Sequence, residues 1–111
     1  EYGDMSRGCD SLGGHYNPYN HDHGSYERDT KRHVGDLINN LRSNEDGNFI
    51  FSYIDDLIRI DSKKNNIIGR SVVIHEGIDD CGFGKNKESR ITGNAGKRMA
   101  CAIIGIKKNK I

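Results

Sequence analysis

The sequence predicts an all-β domain, a sandwich or a barrel, on three observations. No stretch sustains the apolar period of a helix. Short runs rich in β-branched and aromatic residues recur instead, at Val34–Asn40, Phe49–Ile54, Ile67–His75 and Met99–Ile106. Turn signals separate them, among them Asp46–Gly47 and the polar run Lys63–Asn66.

Taken in order, the chain opens on Glu1–Asp4 and continues as loop through Met5–Gly14, which holds Cys9. Gly14–Asp36 is rich in Gly, Asn and Asp and has neither helical nor strand period, so it is a long loop. Val34–Asn40 is expected to be a short strand and Phe49–Ile54, reading FIFSYI, a better one. Leu57–Ile60 is a shorter apolar segment. Ile67–His75, reading IIGRSVVIH, carries the clearest strand signal. A second long loop, Glu76–Lys97, is rich in glycine and charge, and Met99–Ile106 is the last strand. Lys107–Ile111 reads as a frayed tail.

At 111 residues the chain is one domain at most. Only 33% of its residues are hydrophobic and mean hydropathy is −0.79, which is thin for a self-sufficient core. The 17 basic and 16 acidic residues are interspersed, which speaks against a nucleic-acid partner. No apolar stretch reaches membrane-spanning length. Three cysteines, Cys9, Cys81 and Cys101, leave at least one free thiol and form no zinc-type C-x-x-C pair.

The loop at Gly14–Asp36 carries the candidate chemistry. His15, His23, His33 and Asp36 are three imidazoles and a carboxylate, a donor set that suits a tetrahedral Zn²⁺ site. A long loop without secondary structure of its own is usually functional or disordered, and an ion would tie it down. Spacing alone leaves solvated histidines as an equal reading, and His21 has no need to ligate anything.

The letters around these residues narrow the choice. GHYNP at Gly14–Pro18, HVGDL at His33–Leu37, IIGRSVVIHE at Ile67–Glu76 and TGNAGKRMACAIIGI at Thr92–Ile106 resemble the copper/zinc superoxide dismutase family. The resemblance runs from Glu1 to Ile106. It implies a Greek-key β-barrel with a zinc loop and an electrostatic loop, of which residues 1–111 would be a partial, C-terminal domain. In the family EYGD follows a strand ending His-x-His that holds two copper ligands. The sequence given begins after that strand, and its lack of an initial Met favours a fragment.

The resemblance also assigns roles. His15, His23, His33 and Asp36 would bind zinc, despite one inserted residue between His23 and His33. His15 would bridge copper and zinc, and His75 would be a copper ligand. Asp79 would accept the second N–H of metal-bound histidines. Arg98 would draw in and orient a small anion. Cys9 would pair with Cys101, leaving Cys81 free. The implied cofactors are copper and zinc, the substrate superoxide anion, and the expected catalytic residues Arg98 and His15. A homodimer, touching at Gly3, Ile68, Gly69 and Ile106, and a copper chaperone are the implied partners. The expected location is cytoplasmic, with a secreted form as the alternative.

Four positions depart from the family pattern. Lys87 stands where an acid is usual and Ile91 where a lysine is common, which alters the steering field. Ile38 and Ala102 replace glycines and are expected to add volume in packed regions. The rival function is a non-catalytic, zinc-binding dismutase-like domain of the kind found in the copper chaperone. His75 and Arg98 weigh against it, because a dead domain has no need of them.

Overall fold

A computed structural model describes residues 1–27, 30–61 and 63–109. Among the described residues, one sheet pairs the two runs with the strongest aliphatic β-character. Strand β1 (Ser71–His75) and strand β2 (Arg98–Ile103) are antiparallel, with Val73 opposite Cys101 and Val72 opposite Ala102. The register slips at the functional end: Ile74 faces Ala100, but His75 faces Arg98. Met99 is therefore the extra residue of a bulge, and it points outward, 68% exposed. A bulge of this kind re-aims the side chain beside it, and here it sets Arg98 across from His75.

The ladder continues past the strands into the second long loop. Glu76 donates its amide to Lys97 O at 3.0 Å and Gly77 donates to Ala95 O at 2.8 Å. The approach at Gly77 requires glycine, since a Cβ there would lie 2.8 Å from that same carbonyl. The loop contains one turn of helix, α1 (Ser89–Thr92), closed by Gly93 at φ 67 with its amide on Ser89 O. A 3-10 turn, Gly8–Ser11, presents Cys9 to β2, and the Cys9–Cys101 disulfide joins them. Cys81 is free.

Several expected strands are shorter or missing. Residues 67–70 form a turn, with Arg70 N–H on Ile67 O and Gly69 at φ 81, so β1 begins only at Ser71. The last strand starts at Arg98 and stops at Ile103. Residues 34–40 form no strand: the amides of Gly35 and Asp36 turn to Tyr16 O and His33 O, and local bonding wins over a short apolar pattern. Residues 49–54 form none either, because no described segment offers them a ladder. Their side chains still alternate. Phe49 and Phe51 ring centroids are 5.9 Å apart and those of Phe51 and Tyr53 are 5.4 Å apart, while Ile50 and Ile54 stand outside that stack. In the tail, residues 107–109 carry no secondary structure; Lys110 and Ile111 lie outside the described residues.

The buried centre is unusual in composition. Leu12, Val34 and Ala95 are its apolar members; His23, Ser25, Arg32, His33, Asp36 and Ser89 are as well buried. Buried polar groups persist only when partnered, so the packing of this molecule is organised around a polar cluster.

Candidate metal centre

That cluster is the expected donor set. Ligand atoms of His15, His23, His33 and Asp36 all lie within 4.8 Å of one another. Asp36 Oδ1 is the hub, at 2.9 Å from His15 Nδ1, 2.7 Å from His23 Nδ1 and 3.1 Å from His33 Nδ1. His15 Nδ1 and His33 Nδ1 are themselves 3.2 Å apart, so both cannot carry a proton in that gap. Ligands placed about 2.0–2.1 Å from a tetrahedral zinc stand about 3.3 Å from each other. The spacing and the converging lone pairs therefore fit a zinc-sized cation.

Local folding explains why the atoms converge. The other Asp36 oxygen accepts the backbone amides of Gly24 and His33, both at 2.9 Å, which turns Oδ1 inward. His23 uses both ring nitrogens: Nδ1 faces Asp36, and Nε2 donates to Asp79 at 2.8 Å. A carboxylate behind a ligating imidazole fixes its tautomer and its angle. Burial acts to lower the His23 pKa, but the hydrogen bonds to Asp36 and Asp79 override it and raise it to about 9. Burial acts to raise the Asp36 pKa; the three histidines around it outweigh that and hold the carboxyl well below the usual carboxylate range. Both shifts show how strongly this pocket favours positive charge beside Asp36.

Asp79 is tied into the same fabric. It accepts from Asn39 Nδ2 and from the Cys81 amide, and its backbone amide donates to Asn40 Oδ1 at 2.8 Å. His23 N donates to Arg90 O at 2.7 Å, so the two long loops are stitched together at the donor set.

The remaining expected residues share one cavity of about 170 Å³, lined among others by His15, His75, Thr92 and Arg98. The His15 and His75 rings meet edge-on with centroids 6.3 Å apart. His75 Nδ1 is engaged with Gly96 O at 2.9 Å, which leaves Nε2 as its free ligand atom. Arg98 Nη1 donates to Cys9 O at 2.6 Å and Nη2 to Gly13 O at 2.7 Å. The guanidinium is thus held rigidly at the cavity wall and also pins the loop that carries Cys9.

His21 stands apart from the donors: its Nδ1 faces Arg32 O at 3.3 Å and its ring stacks on Tyr19. Ile91 is among the residues that line the cavity, and Lys87 is exposed and outside that lining. Ile38 is half-buried against the cavity as expected, whereas Ala102 is exposed and crowds nothing. Ala102 sits on the outward side of β2, so the expectation of added packing volume there is corrected. Sequence reasoning passed over Arg32, Asn39, Asn40 and Asp55. Arg32 precedes the HVGD run and the asparagines follow it, but only the fold shows their partners.

Comparison with known proteins identifies the family and the fold. The family model described as "Copper/zinc superoxide dismutase (SODC)" matches residues 1–104. Superoxide dismutase [Cu-Zn] 5 of Dictyostelium discoideum is 47% identical over 108 residues, spanning 97% of this chain and 69% of that protein. The extracellular superoxide dismutase [Cu-Zn] of Drosophila melanogaster is 50% identical over 107 residues, spanning 96% of this chain and 58% of that protein. Among solved structures, the crystal structure of the clock protein EA4 superposes with a TM-score of 0.90 at 48% identity, covering 96% of this chain and 66% of that one.

Proposed function

Because the chain belongs to the copper/zinc superoxide dismutase family and has that family's all-β fold, we propose that its parent protein dismutes superoxide. Two superoxide anions and two protons would give one dioxygen and one hydrogen peroxide. The observation that carries the reading is a single cavity holding His15, His75 and Arg98, with His23 and Asp36 of the four-donor cluster also in its wall.

The family implies copper and zinc, and the donor set fits. His15, His23, His33 and Asp36 would hold zinc, while His15 and His75 would be two of the copper donors. When bound, copper supplies reversible one-electron chemistry and zinc a fixed charge that orders the loop. The protein's part is binding, orientation and proton placement. Arg98, always cationic and held by two carbonyls, draws the anion in and orients it. His15 Nδ1 faces Asp36 and His33, so Nε2, across the ring, is where a proton would be held and released. Asp79 keeps His23 in one orientation. Ile91, which lines the cavity, stands where the family commonly has a lysine, so the pull on the anion rests more heavily on Arg98.

The same proposal takes residues 1–111 as part of one domain and the parent as a homodimer. Gly3 and Gly69 are in close contact, and Ile106, also of the expected interface set, is 86% exposed. It covers a cytoplasmic or a secreted parent, since relatives from Drosophila and Caenorhabditis elegans are named extracellular and a disulfide suits that compartment. The zinc-only alternative needs the four clustered donors alone and leaves His75 and Arg98 without a role. The test is superoxide decay with the copper- and zinc-loaded parent and its Arg98→Ser variant. The wild type should exceed free copper and the variant should lose at least 10-fold, roughly the weight of one oriented charge contact. Equal rates in the two would refute the role of Arg98, and no activity above free copper in the wild type would favour the zinc-only domain.

A further inference from the structure

Arg32 belongs to neither the donor set nor the cavity, yet it is 3% exposed, one residue before His33. Its Nη1 donates to the carbonyls of Asp36 at 2.6 Å, His33 at 3.2 Å and Val34 at 3.5 Å. Its Nη2 donates to both oxygens of Asp55 at 2.8 Å. A buried ion pair is weak evidence for stability, because desolvation offsets much of the attraction. The placement of this one is more informative. The turn from His33 to Asp36 supplies two of the four donors, and it curls around one guanidinium nitrogen. Its carbonyls are gathered by Arg32 from one side. From the other side the Asp36 carboxylate collects the amides of His33 and Gly24. The turn is therefore fixed in its donor-presenting shape from both sides, by a guanidinium outside the donor set and by the Asp36 oxygen that faces away from the histidines.

We propose that Arg32 is a positioning residue for the metal centre, setting the angle at which His33 and Asp36 present their ligand atoms, with Asp55 as its tether. The inference rests on the zinc reading above. It makes zinc affinity depend on a clamp outside the ligand set and couples the donor turn to residues 49–55. Lysine could not replace the planar fork, since one ammonium cannot gather the carbonyls and meet Asp55 bidentately.

The test uses the metal-free parent, titrated with zinc against a competing chelator and separately with Co²⁺, whose visible bands report ligand angles. Arg32→Lys should lower zinc affinity about 10- to 100-fold, the usual cost of losing a partner behind the ligands, and shift the Co²⁺ bands. Asp55→Asn, nearly isosteric and leaving the guanidinium in place, should shift both in the same direction by less. Should Arg32→Lys fail to fold, Asp55→Asn decides by the same two readings. Wild-type affinity and an unchanged spectrum in folded variants, even with lowered thermal stability, would make Arg32 merely structural and overturn the proposal. A wild type that takes up no Co²⁺ at this centre would instead overturn the zinc reading itself, and this inference with it.

Discussion

Asp36 has no spare capacity: one oxygen faces three imidazole nitrogens and the other accepts two backbone amides. Replacing it removes the only formal negative charge among the four donors. Asp36→Ala in the parent protein is expected to abolish stoichiometric zinc and to leave two buried amides unpaired, at about 1–3 kcal/mol each. Metal analysis per protomer checks the first effect and chemical denaturation the second. Unchanged zinc content would place the site elsewhere. At this scale much was legible in the sequence, because the donors sit in short runs whose letters are distinctive. His15, His23, His33 and Asp36 meet as expected, and Cys9 and Cys101 are bonded. What escaped were residues whose role is made by tertiary contact. Nothing near Arg32 in the sequence announces that Asp55 waits 23 residues on, nor does Asn39 advertise its bond to Asp79.

At the scale of elements, the second loop is held against the first by close backbone approach. Gly93 has φ 67, and a Cβ there would run into Asp79 Oδ1 and His23 Nε2. Gly93→Ala is therefore expected to lower the melting temperature by several degrees and to weaken zinc retention, since relief of the clash must move His23 or Asp79. Gly105→Ala, where a Cβ meets nothing within 4 Å, is the control and should leave both unchanged. Matching behaviour of the two variants would show that the loops are not coupled at Gly93. The same loop is acid-sensitive through Asp80. Ser89 and Asn94 hydrogen-bond its carboxylate and lower its pKa, and the Gly82 and Gly84 amides add to this. With the folded pKa depressed, this contribution is present above about 3.9 and is lost as pH falls through the lower folded value. Protection of the amides at residues 82–94, taken relative to their intrinsic exchange at each pH, should fall on acidification below about pH 4, and Asp80→Asn should lower it already at neutral pH. Strand boundaries were the least legible feature here. The bulge at Met99 and the turns at 34–37 and 67–70 are chosen by hydrogen-bond geometry, to which an apolar pattern is blind.

The whole molecule carries the last prediction: residues 1–111 alone will show no appreciable dismutase activity. The first reason is a donor count. Of the five histidines, His23 and His33 are committed to Asp36 and His21 to Arg32 O. Copper would therefore find only His15 and His75, too few to fix a tetragonal Cu²⁺ geometry. The second reason is packing. The sheet has two strands, and such a sheet is marginal by itself. Residues 49–54 have an aromatic stack on one side and Ile50 and Ile54, 98% and 89% exposed, on the other. Unpaired edges beside exposed apolar side chains invite aggregation. The Cys9–Cys101 bond closes a separation of 92 residues, worth about 2–4 kcal/mol, and zinc adds to it, but neither supplies strands. The experiment expresses residues 1–111 and, separately, the parent protein, loads both with copper and zinc, and measures superoxide removal above free copper together with the monomeric fraction. The short chain should be inactive and largely aggregated while the parent is neither. Comparable activity in the two would mean that His15, His75 and the two-stranded sheet suffice, and the argument from donors and edges would fail.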